Sequence, residues 1–222
     1  MNIVALVPLK ANSERVPGKN FRELCGKALH RWILDTLLSI DRITQVVINT
    51  DAREKLVETG LPDDPRMVIR TRKPELCGDL VSMNLILGDD IEAVPADLYL
   101  MTHVTNPLIS AETIERAIDQ FLDSGKDSLF AVNRFQTRFY RADGSPVNHD
   151  PSNLVRTQDL EPWYEENSCL YLFTRESFAH ADARIGADPM LFETPALESV
   201  DIDEPDDWIL AEALLMHAGS RP

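Results

Sequence analysis

The chain has 222 residues and a net charge of −15, from 22 Lys and Arg against 37 Asp and Glu. A protein this acidic is repelled by nucleic-acid phosphates and by anionic membrane surfaces, so neither is expected as a partner. Hydrophobic residues make up 44% of the chain, too many for a disordered acidic tail, and no apolar run approaches the ~18 residues that span a bilayer.

The first element, Ile3–Val7, follows no basic segment and reads as a buried strand, not a signal peptide. Ala28–Ile40 carries a helical apolar stripe. Gln45–Asn49 and Met67–Arg70 are strand candidates, and Leu80–Val94 is a second amphipathic helix. Leu98–Thr102 reads as a strand. Ala111–Leu122 reads as a helix with Ser110 as N-cap and Gly125 beyond its end. Ser128–Val132, Cys169–Phe173 and Ser199–Ile202 are further strands. Pro205–Ala218 is a closing helix with Pro205 in its first turn and Gly219 after it. Several strands are apolar on both faces, as in a sheet covered on both sides. This alternation predicts one α/β domain over residues 1–222, a three-layer sandwich around a mostly parallel, Rossmann-like sheet. Phe135–Glu166 breaks the rhythm with Gly144, three prolines and no clear period, and reads as an inserted β-ribbon, lid or dimerisation arm. Cys25, Cys77 and Cys169 show no metal or redox spacing and suit small, mostly buried hydrophobes in a reducing cytoplasm.

Charge is unevenly spread. Residues 1–31 carry a net +4, so the other 191 carry −19, and a second basic knot lies at Arg66, Arg70, Arg72 and Lys73. A small basic pocket on an acidic protein suits a small anionic ligand. In open α/β sheets ligands sit at the carboxyl ends of strands, so the loop LVPLKANSERVPGKN is the first candidate. It matches neither GxGxxG nor a Walker loop. Lys10, Arg15 and Lys19 nevertheless bring three cations within ten residues, beside the donors Asn12 and Ser13 and a Pro17–Gly18 turn. Such a set can hold phosphates and stabilise the charge of a leaving pyrophosphate. At the far end, Asp201 and Asp203 alternate, so both face one side. Two carboxylates at a strand end suit Mg²⁺, which takes one or two carboxylates plus phosphate oxygens and waters. Glu204, Asp206 and Asp207 suit the first turn of the closing helix. Asp79 suits a helix cap.

The loop SERVPGKN resembles the signature of the acylneuraminate (sialic acid) cytidylyltransferases. RKPELCGDLVS, THVTNPLI, RTQDLEPWYEENSCLYLF and VDIDEPDDW resemble further segments of that family, in the correct order over most of the chain. The resemblance implies a cytoplasmic homodimer that transfers CMP from CTP to the anomeric hydroxyl of an acidic 2-keto, nonulosonic sugar and releases pyrophosphate. It implies residues 135–166 as the dimerisation lobe. Lys10, Asn12, Ser13, Arg15 and Lys19 would meet the nucleotide's phosphates, Asn20 would contact the nucleotide, and Arg72 and Ser82 would meet its base or ribose. Asp201 and Asp203 would hold Mg²⁺ or Mn²⁺ and, with Lys19, form the catalytic set. His103, Thr105 and Asn106 would touch the sugar, and Arg156 and Gln158 would reach it from the arm. Three departures stand out. Lys10 replaces the family's usual Arg, which loses the bidentate fork, and His103 stands where Gln is common. Glu14 stands where the family often has Lys or Thr, and would point away from phosphate. Relatives that use the eight-carbon sugar KDO carry an acid in the THVTNPLI segment, and its absence here favours the sialic-acid branch. A nucleotidyltransferase for another sugar such as KDO, and a catalytically silent nucleotide-binding homologue, are the alternatives. His149, His180 and His217 receive no role.

Overall fold

The computed structural model describes residues 1–219. The base Arg221 and the last residues of the expected domain lie outside them. The elements in chain order are β1 (Ile3–Leu9), β2 (Glu23–Leu24), β3 (Lys27–Ala28), α1 (Leu29–Leu38), β4 (Ile43–Thr50), α2 (Arg53–Glu58), β5 (Met67–Thr71), α3 (Met83–Ala93) and β6 (Leu98–Met101). Then follow α4 (Ala111–Ser124), β7 (Ser128–Phe135), β8 (Trp163–Phe173), α5 (Arg175–Ala181), β9 (Pro189–Glu193) and α6 (Pro205–Gly219).

Seven strands form one sheet in the order β5-β4-β1-β6-β8-β7-β9. All pairings are parallel except those of β8, which runs antiparallel to both β6 and β7. Every residue of β1 is buried, as its apolar run on both faces requires. Ile3, Ala5, Val7 and Leu9 pack against Ile33, Leu34 and Leu37 of α1 and Ile114 and Ile118 of α4. Val4 and Leu6 point the other way, toward Leu87 and Ile91 of α3 and Phe178 of α5. The sheet is thus the middle of three layers. A separate apolar cluster joins Val16 of the first loop and Leu24 to Ile202, Trp208 and Ala211 near the C-terminus. It draws the two ends of the chain together.

Ser110 caps α4 by accepting the Thr113 N–H at 3.1 Å, and Gly125 ends that helix at φ 68°. Four expectations are corrected. Ser199–Ile202 is no strand: its backbone tie to the sheet region is Ile202 N–H to the Thr105 carbonyl at 2.9 Å, and the edge position is taken by β9. A lone extended segment without a ladder partner does not count as a strand, however its residues alternate. The second helix starts at Met83, not Leu80, because Ser82 supplies its cap. Asp79 therefore does not cap it. The last helix runs through Gly219.

β7 and β8 extend past the sheet as a two-stranded ribbon, pairing Val132 to Phe135 with Glu166 to Trp163. Residues 136–162 form its irregular tip, with one bridge between Tyr140 and Pro146. The tip exposes Tyr140, Leu154 and Val155, and the ribbon strand beside it exposes Trp163 and Tyr164. The β2–β3 hairpin, absent from the sequence reading, turns through Cys25 and Gly26, both at positive φ (50° and 87°).

Candidate active site

The carboxyl ends of β1, β5 and β6 border a cavity of about 330 Å³. It is lined by Lys10, Lys19, Asn20, Arg72, His103, Thr105, Asp201 and Asp203, together with Gly78, Asp79, Met83, Ser168 and apolar neighbours. Residues from both ends of the chain and from its middle thus meet on one surface.

The first loop leaves β1 and turns at Gly18, whose φ of 67° only glycine adopts without strain. A short 3₁₀ turn, Lys19–Phe21, then buries Lys19 and Asn20. Lys19 is 6% exposed. Its Nζ donates to the Ile202 carbonyl at 2.5 Å and to Asp203 Oδ1 at 2.9 Å. A buried ammonium needs such partners, since an unpaired one would lose its charge. Arg15 adds Nη2 to Asp203 Oδ2 at 2.7 Å and Nη1 to Glu204 Oε1 at 3.2 Å. Lys10 pairs with Asp79 across the cavity mouth at 2.7 Å. Asn20 donates from Nδ2 to the Lys10 carbonyl at 2.9 Å, while its Oδ1 is buried without a partner. Asn12, Ser13 and Arg15 lie outside the cavity lining, and Asn12 and Glu14 are exposed.

The two acids differ. Burial pushes the Asp201 carboxyl above its ordinary value, opposed by a hydrogen bond from Thr105 and reinforced by the charge of Asp203. Its Oδ1 is buried with no hydrogen-bond partner. Burial also acts on Asp203, but Lys19 and then Arg15 overcome it and hold that carboxyl low. A divalent cation fits this pair: Asp201 offers an orphaned buried oxygen, and Asp203 offers a charge already fully ionised. Among the described residues no group of three or more His, Cys, Asp or Glu converges, so further ligands would have to be phosphate oxygens and water. His103 lines the same cavity. Burial, aided by the positive field of Arg184, pulls its imidazole down to about 4, so the ring is neutral at pH 7.

Arg72 is only 7% exposed. Nε donates to Asn49 Oδ1 at 3.0 Å, and Nη2 donates to the Asn49 and Leu9 carbonyls at 2.8 and 3.3 Å. Asn49 in turn donates to the buried Asp90 Oδ1 at 2.8 Å, and Arg70 bridges Asp90 and Asp89. This chain locks the Arg72 fork while leaving Nη1 without a hydrogen-bond partner among the described residues.

Other sequence candidates fall elsewhere. Ser82 caps α3 and lines a neighbouring cavity instead. Asn106 is fully buried and donates to the Val200 carbonyl at 3.5 Å, steadying the segment that carries Asp201. Arg156, on the exposed ribbon tip, chelates Asp159 at 2.7 and 3.0 Å. Gln158 gives its carbonyl to Gln136. Neither lines the cavity. Sequence reasoning missed Asn49, Asp51 and Asp90. Asp51 accepts the Ala11 N–H at 2.7 Å and so anchors the first loop. The polar triplet Asn49–Thr50–Asp51 closing an apolar strand was the available signal. It also missed Ser168, which lines the cavity at φ 60°, a conformation rare for a side-chain-bearing residue.

A family model for cytidylyltransferases matches residues 4–215. A pseudaminic acid cytidylyltransferase of Campylobacter jejuni is 25% identical over 225 residues, covering 96% of each chain. A CMP-N,N'-diacetyllegionaminic acid synthase of Legionella pneumophila is 28% identical over 243 residues, covering 97% of each. An N-acylneuraminate cytidylyltransferase of Oncorhynchus mykiss is 27% identical over 229 residues; the match takes in 98% of this chain but spans only about half, 51%, of that protein. Among solved structures, CMP:2-keto-3-deoxy-manno-octonic acid synthetase complexed with CTP superposes with a TM-score of 0.72 at 17% identity, over 98% of this chain and 100% of that one. At that identity the likeness concerns the fold. The family model spans nearly the whole chain: the protein belongs to the cytidylyltransferase family.

Proposed function

We propose that the protein transfers CMP from CTP to the anomeric hydroxyl of a nonulosonic acid and releases pyrophosphate. The observation that carries this reading is the convergence of Lys19 and the Asp201–Asp203 pair, with an orphaned carboxylate oxygen, in one cavity of a cytidylyltransferase. The relatives' names point to nonulosonic acids as acceptors.

The side chains divide the work. Lys10 and Lys19 line the cavity and bind phosphate oxygens, and Arg15 joins them by turning from Asp203. Lys19 is already desolvated, so its charge acts on the phosphates at low dielectric and without reorganisation. Arg72 presents its free Nη1 as a donor to the nucleoside, and the unpaired Asn20 Oδ1 accepts a hydrogen from it. Asp201 and Asp203 would hold Mg²⁺ or Mn²⁺, which when bound neutralises phosphate charge and polarises the α-phosphorus. Asp201, which lines the cavity, is also placed to accept a hydrogen bond from the attacking hydroxyl. His103, neutral and weakly basic, orients the acceptor by hydrogen bonding.

The exposed apolar face of the ribbon tip supports a homodimer in which Arg156 and Gln158 reach the partner's acceptor. CTP as co-substrate and three free thiols suit a cytoplasmic enzyme. Among the described residues no helix is long and apolar enough to cross a membrane. The test is incubation with CTP, Mg²⁺ and a panel of N-acetylneuraminic, legionaminic and pseudaminic acids and KDO, following pyrophosphate. Release with a nonulosonic acid is expected. Release with KDO alone, or with no acceptor, overturns the reading.

A further inference from the structure

A second cavity, of about 290 Å³, adjoins the first. Met83 lines both. Its polar wall is Glu166 and Arg184, faced by Ser82 and Asn84 at the start of α3. The wall is tied to the active site in two ways. Ser168, which lines the first cavity, lies 3.4 Å from the Tyr171 hydroxyl. Arg184 is also close enough to His103 to lower its proton affinity.

The wall is built, not incidental. The Arg184 guanidinium stacks 3.8 Å above the Tyr171 ring and donates from Nη2 to the Tyr171 hydroxyl at 2.9 Å and to Glu166 Oε1 at 3.2 Å. Tyr171 donates to the same Glu166 oxygen. The backbone N–H of Arg184 donates to Asn84 Oδ1 at 3.3 Å, which holds the loop against α3. Both hydrogen bonds fall on Oε1, so Glu166 Oε2 has no partner among the described residues. The Glu166 side chain is 41% exposed and Arg184 18%.

The charge pattern selects a ligand. A wall meant only for a carboxylate and hydroxyls needs a cation. A carboxylate placed there repels an anion, and its outward oxygen, Oε2, is left for a ligand that supplies a donor. Here one positive and one negative group stand side by side. That pattern complements a ligand carrying both charges.

We propose that Glu166 and Arg184 determine acceptor specificity, with Arg184 facing an anionic group and Glu166 Oε2 receiving a protonated amine, so that amino-substituted nonulosonic acids are preferred over their hydroxyl counterparts. This rests on the cytidylyl-transfer reading above. A charge-assisted hydrogen bond to this carboxylate is the source of the preference.

The experiment compares kcat/KM for N-acetylneuraminic acid with that for its 7-, 8- and 9-amino-deoxy analogues, in the unmodified protein and in Glu166→Gln. Gln keeps the shape and one acceptor oxygen but removes the charge. Thermal melting and KM for CTP confirm that the variant is folded. At least one amino analogue is expected to exceed the parent by about tenfold, with Glu166→Gln abolishing the preference. Equal use of all four acceptors, or a preference that survives Glu166→Gln, overturns the assignment and leaves the cytidylyl-transfer reading standing. No pyrophosphate from any acceptor overturns both.

Discussion

The two halves of the main cavity are held in opposite ways. On the phosphate side the contacts are ion pairs between distant segments, and most of their members are open to solvent: Arg15, Lys10, Asp79 and Asp203 keep 55%, 45%, 55% and 40% of their side-chain surface exposed. On the nucleoside side, Arg72, Asn49 and Asp90 are buried and joined by directed hydrogen bonds. Exposed pairs contribute little to stability and exchange readily, whereas a buried network is fixed before any ligand arrives. The comparison teaches that the half around Arg72, proposed to read the nucleoside, is preorganised. The half proposed to bind phosphate holds Arg15 on Asp203 and Glu204 and Lys10 on Asp79, exposed pairs that a stronger anion would replace.

The largest expected effect is on turnover. Asp201→Asn keeps the shape but removes the raised, orphaned carboxylate, and kcat should fall on the order of 10²–10³-fold with the fold intact. Pyrophosphate release and thermal melting measured together decide it; unchanged turnover would remove Asp201 from the chemistry. On the buried side the effect should appear as stability. Asp90→Asn loses the charge facing Arg70 and frees the Asn49 amide to reorient, so urea denaturation should show a loss of about 2–3 kcal/mol and KM for CTP should rise. A variant as stable as its parent would contradict the preorganised half.

Acid offers a third test. His103 has a folded value of about 4, below its ordinary 6.5. Above pH 6.5 both folded and unfolded states hold it neutral, so it has no effect there. Below 6.5 the unfolded chain binds a proton that the folded site refuses. Stability is therefore lost as pH falls from 6.5 toward 4, by about 2 kcal/mol at pH 5. Asp203, held low, acts later: its contribution is present above 3.8 and disappears only as pH falls through its lower folded value. His103→Gln should flatten the first window and leave the second; denaturation midpoints at pH 7, 5 and 3.5 distinguish them. The smallest effect belongs to the mouth. Asp79→Asn should change stability by about 0.5 kcal/mol or less, while Lys10, released from its partner, binds CTP modestly more tightly. A large loss of stability there would show that the phosphate half is not exchangeable.

Much of this was legible before folding. The apolar runs located the central strands, and the spacing of Lys10 and Lys19 after the first strand placed two cavity-lining cations. Alternation put Asp201 and Asp203 on one side, although the segment proved to be extended chain and not a strand. Ser82 was ambiguous because a serine before an amphipathic run fits both a ligand contact and a helix cap, and the Asn84 N–H reveals the cap. The ribbon was recognised by its broken period, but what it covers depends on a surface that composition does not describe.

By itself, the sequence determined the layered α/β architecture, the cation-rich first loop, the acidic pair and the family, because each is written in short-range periodicity or in ordered motifs. Tertiary structure alone decided that Lys19 meets Asp203 across 184 residues, that Asn49 and Asp90 hold Arg72, and that Glu166 stands beside Arg184. Such pairings depend on which strand ends and loops the sheet order brings together, and side-chain contacts between distant segments leave no local period to read.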